Sequence, residues 1–219
     1  MALNQKVLQK KRAKKAEQRK ASKNQARSAS GILSFSREWA ASAQAPIADV
    51  LVPKTLFDTG MGNVWFSRQC ADGRYALSIF LVDTYCLGIK NALYAIVTPS
   101  DYTARLDHLR RSFGKDFERE HPAYARKLVE RAVAYARDLG FDPHPDYHIA
   151  KVIFGDADAT ACPTRLAFGR DGKPFYVCGP NDTPTQQRRI LKQLEKRCGS
   201  NGFNFLIMDD HDPDSDQVM

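Results

Sequence analysis

The chain has 219 residues, of which 43% are hydrophobic, 10% aromatic and 26% charged, and a formal net charge of +8. These proportions are those of a globular protein; they exclude a collagen-like repeat, a small disulfide scaffold and disorder throughout. The richest apolar stretch, Ala76 to Val82, is far shorter than the ~20 residues a membrane-spanning helix needs, and five cysteines without a close pair fit a reducing cytoplasm.

The charge is unevenly placed. Residues 1–30 carry ten cations, Lys6, Lys10, Lys11, Arg12, Lys14, Lys15, Arg19, Lys20, Lys23 and Arg27, against the single acid Glu17. That segment is +9, and the other 189 residues hold 23 basic and 24 acidic side chains. Val7 and Leu8 are almost its only large apolar residues, too little to offset the entropy of ordering it. Its Ala, Lys, Gln, Arg and Glu content favours a helix once a polyanion screens the repulsion. The segment is therefore read as a basic tail over 1–31, disordered or helical, that attracts nucleic acid by releasing counterions. Being Lys-dominated, with no apolar run behind it, it lacks the pattern of a secretory signal or an apolar-faced transit peptide.

The body follows as one α+β domain over 32–208. Ala48 to Val52 reads as a strand, and Asn63 to Gln69 and Tyr75 to Asp83 as two strands joined by an Asp72-Gly73 hairpin. The second of these is apolar on both faces, which suits a central position. Gly88 is expected to break the run, and Ala92 to Val97 fits a strand or a helix. A helix is expected with Ser100 as cap, burying Tyr102, Leu106, Leu109 and Phe113. A second opens at Pro122 and buries Ala125, Leu128, Val129, Ala132, Tyr135, Ala136 and Leu139 before Gly140. A shorter helix spans Pro145 to Phe154. A second Asp-Gly hairpin, around Asp171-Gly172, joins Arg165–Gly169 to Lys173–Cys178. Asp182 or Thr183 caps a helix that buries Ile190, Leu191 and Leu194, stops at Gly199 and precedes a strand from Phe203 to Met208. Mostly antiparallel strands with three to four packed helices result, followed by an acidic tail over 209–219 that carries Asp209, Asp210, Asp212, Asp214 and Asp216.

Three segments, Phe80 to Lys90, Lys127 through Tyr147, and Phe168 to Pro180, together with the basic start, resemble a family of bacterial proteins. The resemblance spans roughly residues 45–207 and implies a bacterial cytoplasmic setting, with no activity to carry over.

Two groups of residues carry chemistry. In the last long helix Arg188, Arg189, Lys192, Lys196 and Arg197 lie opposite the apolar stripe with one acid, Glu195. Since the body is otherwise neutral, the first four of these are the expected second contact for a nucleic acid held by the tail. The leading expectation is thus an RNA- or DNA-binding protein, RNA or a ribonucleoprotein foremost. The alternative is a metal-dependent hydrolase or nuclease. His144 and His148 are four apart, the spacing that puts two imidazoles on one helix face, with Asp83 as a third ligand and Asp142 or Asp146 assisting. Against it, Pro145 tends to leave His144 outside the helix. Cys86 is read as a small buried hydrophobe in preference to a His-activated nucleophile. A protein-interaction module with a merely solubilising tail is the third reading. No phosphate loop, dinucleotide fingerprint, nucleophile elbow or complete calcium loop is present.

Overall fold

The computed structural model describes Gly31 and residues 33–112 and 116–207. A helix over 33–42 (α1) leads into β1 (Ile47–Pro53), the one-turn α2 (Leu56–Thr59), β2 (Met61–Gln69), β3 (Tyr75–Asp83) and β4 (Gly88–Val97). Then come α3 (Pro99–Ser112), β5 (Phe117–Arg119), α4 (Pro122–Asp138), α5 (Tyr147–Ala150), two 3-10 turns, β6 (Phe175–Val177), α6 (Pro184–Cys198) and β7 (Asn204–Leu206). β4, β3, β2, β1 and β5 form, in that order, an antiparallel five-stranded sheet, and β6 and β7 a small parallel pair. The protein is α+β, and among the described residues no helix is long and apolar enough to cross a membrane.

The first Asp-Gly turn forms as its sequence demands. Gly73 takes a φ of 81°, the Asp72 carboxylate accepts the backbone N–H of Arg74, and β2 and β3 pair over nine residues from Met61↔Asp83 to Gln69↔Tyr75. Gly88 does not end the apolar run. It opens β4 opposite Asp83, and the break falls in the turn at 84–87. At a φ of 67°, a Cβ on Gly88 would stand 2.7 Å from the carbonyl oxygen of Ala132 and equally close to the Ala136 methyl, so its absence lets α4 lie against the sheet.

Both sheet faces are covered. Val50, Val52, Val64, Phe66, Phe80 and Val82 meet the stripe of α4 formed by Ala125, Leu128, Val129, Ala132 and Val133, with Tyr147, Ile153 and Phe154 beside it. α4 opens at Pro122 with the His121 ring accepting from the Ala123 N–H. On the opposite face Leu51, Trp65 and Leu77 meet Tyr102 and Leu109 of α3. That helix starts one residue before Ser100; the Thr98 hydroxyl accepts from the Asp101 N–H and is the cap. Phe113, expected in its stripe, lies outside the described residues.

Two further expectations are corrected, and one element forms where the sequence indicates none. The Pro145–Phe154 helix is shorter, one α turn at α5 followed by a 3-10 turn over Lys151–Phe154. α1, with Trp39 buried and donating its indole N–H to Ile149 O, occupies a segment whose sequence carries no clear period. The second Asp-Gly turn is real, with positive φ at both Asp171 and Gly172 and a two-bond bridge between Arg170 and Lys173, yet no hairpin grows from it. Gly169 and Phe175 donate instead to Thr84 and Tyr85, and β6 takes its partner from β7.

Arg68 of β2 is the main tie between layers. It is only 2% exposed. Its guanidinium donates to Ile153 O (2.8 Å), Ala45 O (2.6 Å), Phe154 O (2.8 Å) and the Asp156 carboxylate (2.8 Å). One rigid fork thus serves the Ile153 and Ala45 carbonyls, which the end of a 3-10 turn and a loop leave over, and shares Phe154 O with the Ala157 N–H.

Candidate functional site

α6 is built to stand out from the body. Thr183 and Gln186 form a reciprocal capping box and Pro184 takes the first helical position. The cap is therefore Thr183. Asp182 is used elsewhere: its Oδ2 accepts from the Gly179 N–H (2.8 Å) and the Tyr176 hydroxyl (2.9 Å) and lies 3.8 Å from Lys90 Nζ. Burial, then this carboxylate, pushes the Tyr176 phenol well above its ordinary value. Only Leu194 of α6 is fully buried, with Ile190 and Leu191 half-buried in a third cluster around Cys86, Leu139 and Tyr176. Two donors seat the helix on the end of α4: Gln193 Nε2 to Leu139 O (3.0 Å) and Arg197 Nε to Asp138 O (2.5 Å). Both satisfy carbonyls that a helix C-terminus leaves without intrahelical partners.

The face left over holds Arg188, Arg189, Lys192 and Lys196. All four are exposed, and none makes an ion pair with a described residue. They wall a groove of about 1050 Å³ whose opposite side is Leu87, Ile89 and Lys90 of the β4 entry and the Gly140–Pro145 connection. The groove contains two carboxylates, Asp142 and Asp182, and each already faces a cation, Arg137 at 3.9 Å and Lys90 at 3.8 Å. The surplus of positive charge therefore belongs to α6. The four cations are legible in the helix sequence; Lys90 is not, because its relation to α6 exists only once Lys90 and α6 line one groove. The ten tail cations from Lys6 to Arg27 lie outside the described residues, as does the acidic tail.

The metal set is not brought together. Among the described residues no group of three or more His, Cys, Asp or Glu side chains is placed to hold a metal ion. Asp83 is buried, and its Oδ1 accepts the backbone N–H groups of both Tyr85 and Cys86 at 2.9 Å, so it shapes the 84–87 turn. Burial raises the pKa of its carboxyl above the usual carboxylate value. His144 precedes α5, pinned by its N–H to Ile89 O, and its Nδ1 accepts from the Asp146 N–H. His148 is exposed on the helix itself and its ring packs on Tyr147. Pro145 keeps the two histidines from sharing a helix face, and Asp142 stands out in solvent near Arg137. Cys86 is fully buried, and burial drives its thiol far above the ordinary value, which makes it inert at neutral pH. All five cysteines are free thiols.

No protein-family model, curated protein or solved structure matches this chain. The resemblance read from the three segments therefore brings neither a source nor an activity, and function has to be argued from the groove.

Proposed function

We propose that the protein binds nucleic acid through the phosphate backbone, with α6 as a docking surface on the folded part and residues 6–27 as a basic arm. The observation that carries this reading is the row Arg188, Arg189, Lys192 and Lys196, four exposed cations without a described carboxylate partner. A like-charged row on one helix is self-repelling, and among the described residues no carboxylate pairs with it. From Arg188 to Lys196 the row runs roughly 12 Å along the axis. That extent suits a succession of phosphates better than one small anion. The tail adds ten cations on the same chain, so a strand touched by either is held close to the other.

The test is binding of the full chain to a labelled RNA and to DNA of the same sequence, measured by anisotropy across a salt series. Replacing Arg188, Arg189, Lys192 and Lys196 with Gln should weaken binding and flatten the slope of log K against log salt by about 3 units. Replacing the ten tail cations with Gln should have the larger effect. Unchanged affinity and slope in both variants would falsify the proposal and leave a protein-interaction role.

A further inference from the structure

The other flank of α6 carries a feature that phosphate binding does not use. β7 runs beside the helix, and Phe203 and Phe205, two apart, bring their rings to 6.2 Å between centroids at 34°. Phe203 is half-buried against the cluster of Leu139, Tyr176 and Leu194 and so is anchored. Phe205 is 53% exposed. Both rings line a groove of about 490 Å³ together with Arg188 and Lys192, the cations that also face the larger groove. Arg188 and Lys192 are thus a ridge with a basic trough on one side and an aromatic shelf on the other. A lone exposed ring needs no explanation. A ring pair, one member fixed and one presented, beside two cations that make no ion pair with described residues is the combination that holds an unpaired strand: cations track the backbone and rings receive bases.

Resting on the nucleic-acid reading above, we infer that the ligand of this surface is a single strand. Its phosphates lie along Arg188 and Lys192, and an unpaired base stacks on Phe205, with the half-buried Phe203 as the support beside it. A duplex offers this shelf nothing, because its base faces are covered by their neighbours and only edges and phosphates are presented. Any base has a face to stack, so little sequence preference is expected. Glu195 lines the same groove, where its Oε1 accepts from the Ser200 hydroxyl at 3.3 Å; a carboxylate there repels phosphate and favours base amino groups.

The deciding experiment uses the full chain with a labelled 12-nucleotide single-stranded RNA, the same sequence as single-stranded DNA, and an RNA duplex. Phe205→Ala should weaken binding of the single strands about tenfold, leave duplex binding unchanged and leave the salt slope of single-strand binding as it is. Phe205→Trp should restore or exceed the original affinity. Running RNA beside DNA tells which sugar the surface accepts, and weakening of either supports stacking. Full single-strand affinity in Phe205→Ala overturns the inference, as does an equal loss on duplex and single strand. If the four Gln substitutions on α6 weaken binding while Phe205→Ala does not, stacking falls and the backbone reading stands; if neither these sets nor Gln at the ten tail cations changes anything, both fall. Since Phe205 is largely in solvent, its replacement should leave the melting temperature nearly unchanged, which separates lost binding from lost fold.

Discussion

Arginines in two regions of this molecule have opposite surroundings. In the sheet half, Arg68 spends its fork on three carbonyls and a carboxylate. Close by, Arg126 donates to Gly155 O, Ala157 O and Glu130, and Lys127 to Cys162 O. In the α6 half, Arg197 alone of the helix cations is used in that way, and Arg188, Arg189, Lys192 and Lys196 are held out over a groove. The first kind closes gaps that irregular backbone leaves in the core. The second makes no such contact among the described residues. A cation count cannot tell the two apart; the acceptors around each one can.

The contrast breaks most sharply at Arg68. Arg68→Met should lower stability by about 3 kcal/mol, since the Ile153 and Ala45 carbonyls lose their donor inside the protein and Phe154 O keeps only the Ala157 N–H. Little of that loss is the ion pair, as the Asp156 side chain is 75% exposed. Arg68→Lys should recover only a fraction, because one ammonium cannot span partners placed for a fork. Chemical denaturation measures both, and a loss under about 1 kcal/mol would put Arg68 in the same class as the α6 cations. Next in size is Gly88→Ala, expected to cost about 1–3 kcal/mol by driving a methyl into the Ala132 carbonyl at a positive φ. If that variant is as stable as the parent, α4 does not press on β4 as closely as described.

The four Gln substitutions on α6 sharpen the comparison from the other side. They should change stability by less than about 0.5 kcal/mol, or raise it slightly by relieving repulsion, while nucleic-acid affinity falls. The smallest effect is a pH dependence at Asp83. Its folded pKa is raised by burial, so the folded state holds the proton more firmly than the unfolded chain does. Its contribution is therefore most favourable below the unfolded value near 4 and shrinks as pH climbs through the raised folded value. Asp83→Asn keeps an oxygen for the Tyr85 and Cys86 N–H groups without the buried charge. Its melting temperature should gain on the parent as pH rises from 4 towards 7. A constant difference across that range would mean that burial does not govern this carboxyl.

Much of the candidate site was legible in the sequence because it is local. The α6 cations recur on one face of an amphipathic helix, the cap and the closing Gly199 are neighbours in the chain, and the helix forms where its pattern places it. The expected His144–His148 pair failed for an equally local reason, a proline at the helix entrance, whereas the exclusion of Asp83 could not be read locally. Its place at the end of an apolar strand fits a metal ligand as well as a turn former, and only the two N–H groups converging on it decide. In the sequence the Phe203–Phe205 pair is no more than the start of a strand. A Phe-x-Phe alternation says which residues share a face and nothing of what that face meets.

From its own pattern the chain specified the β2–β3 hairpin, the apolar stripe of α4, the Pro184 start and charged face of α6, and the segregation of net positive charge into residues 1–30. Each depends on periodicity or on turn chemistry between near neighbours, which needs no distant partner. Tertiary packing alone assigned Arg68 to the core, steered β6 away from its own turn to β7, put Lys90 across a groove from α6, and set two rings beside Arg188 and Lys192. Those outcomes turn on which donors find acceptors across long sequence separations, and a buried or unpaired charge is decided by its surroundings, not by its identity.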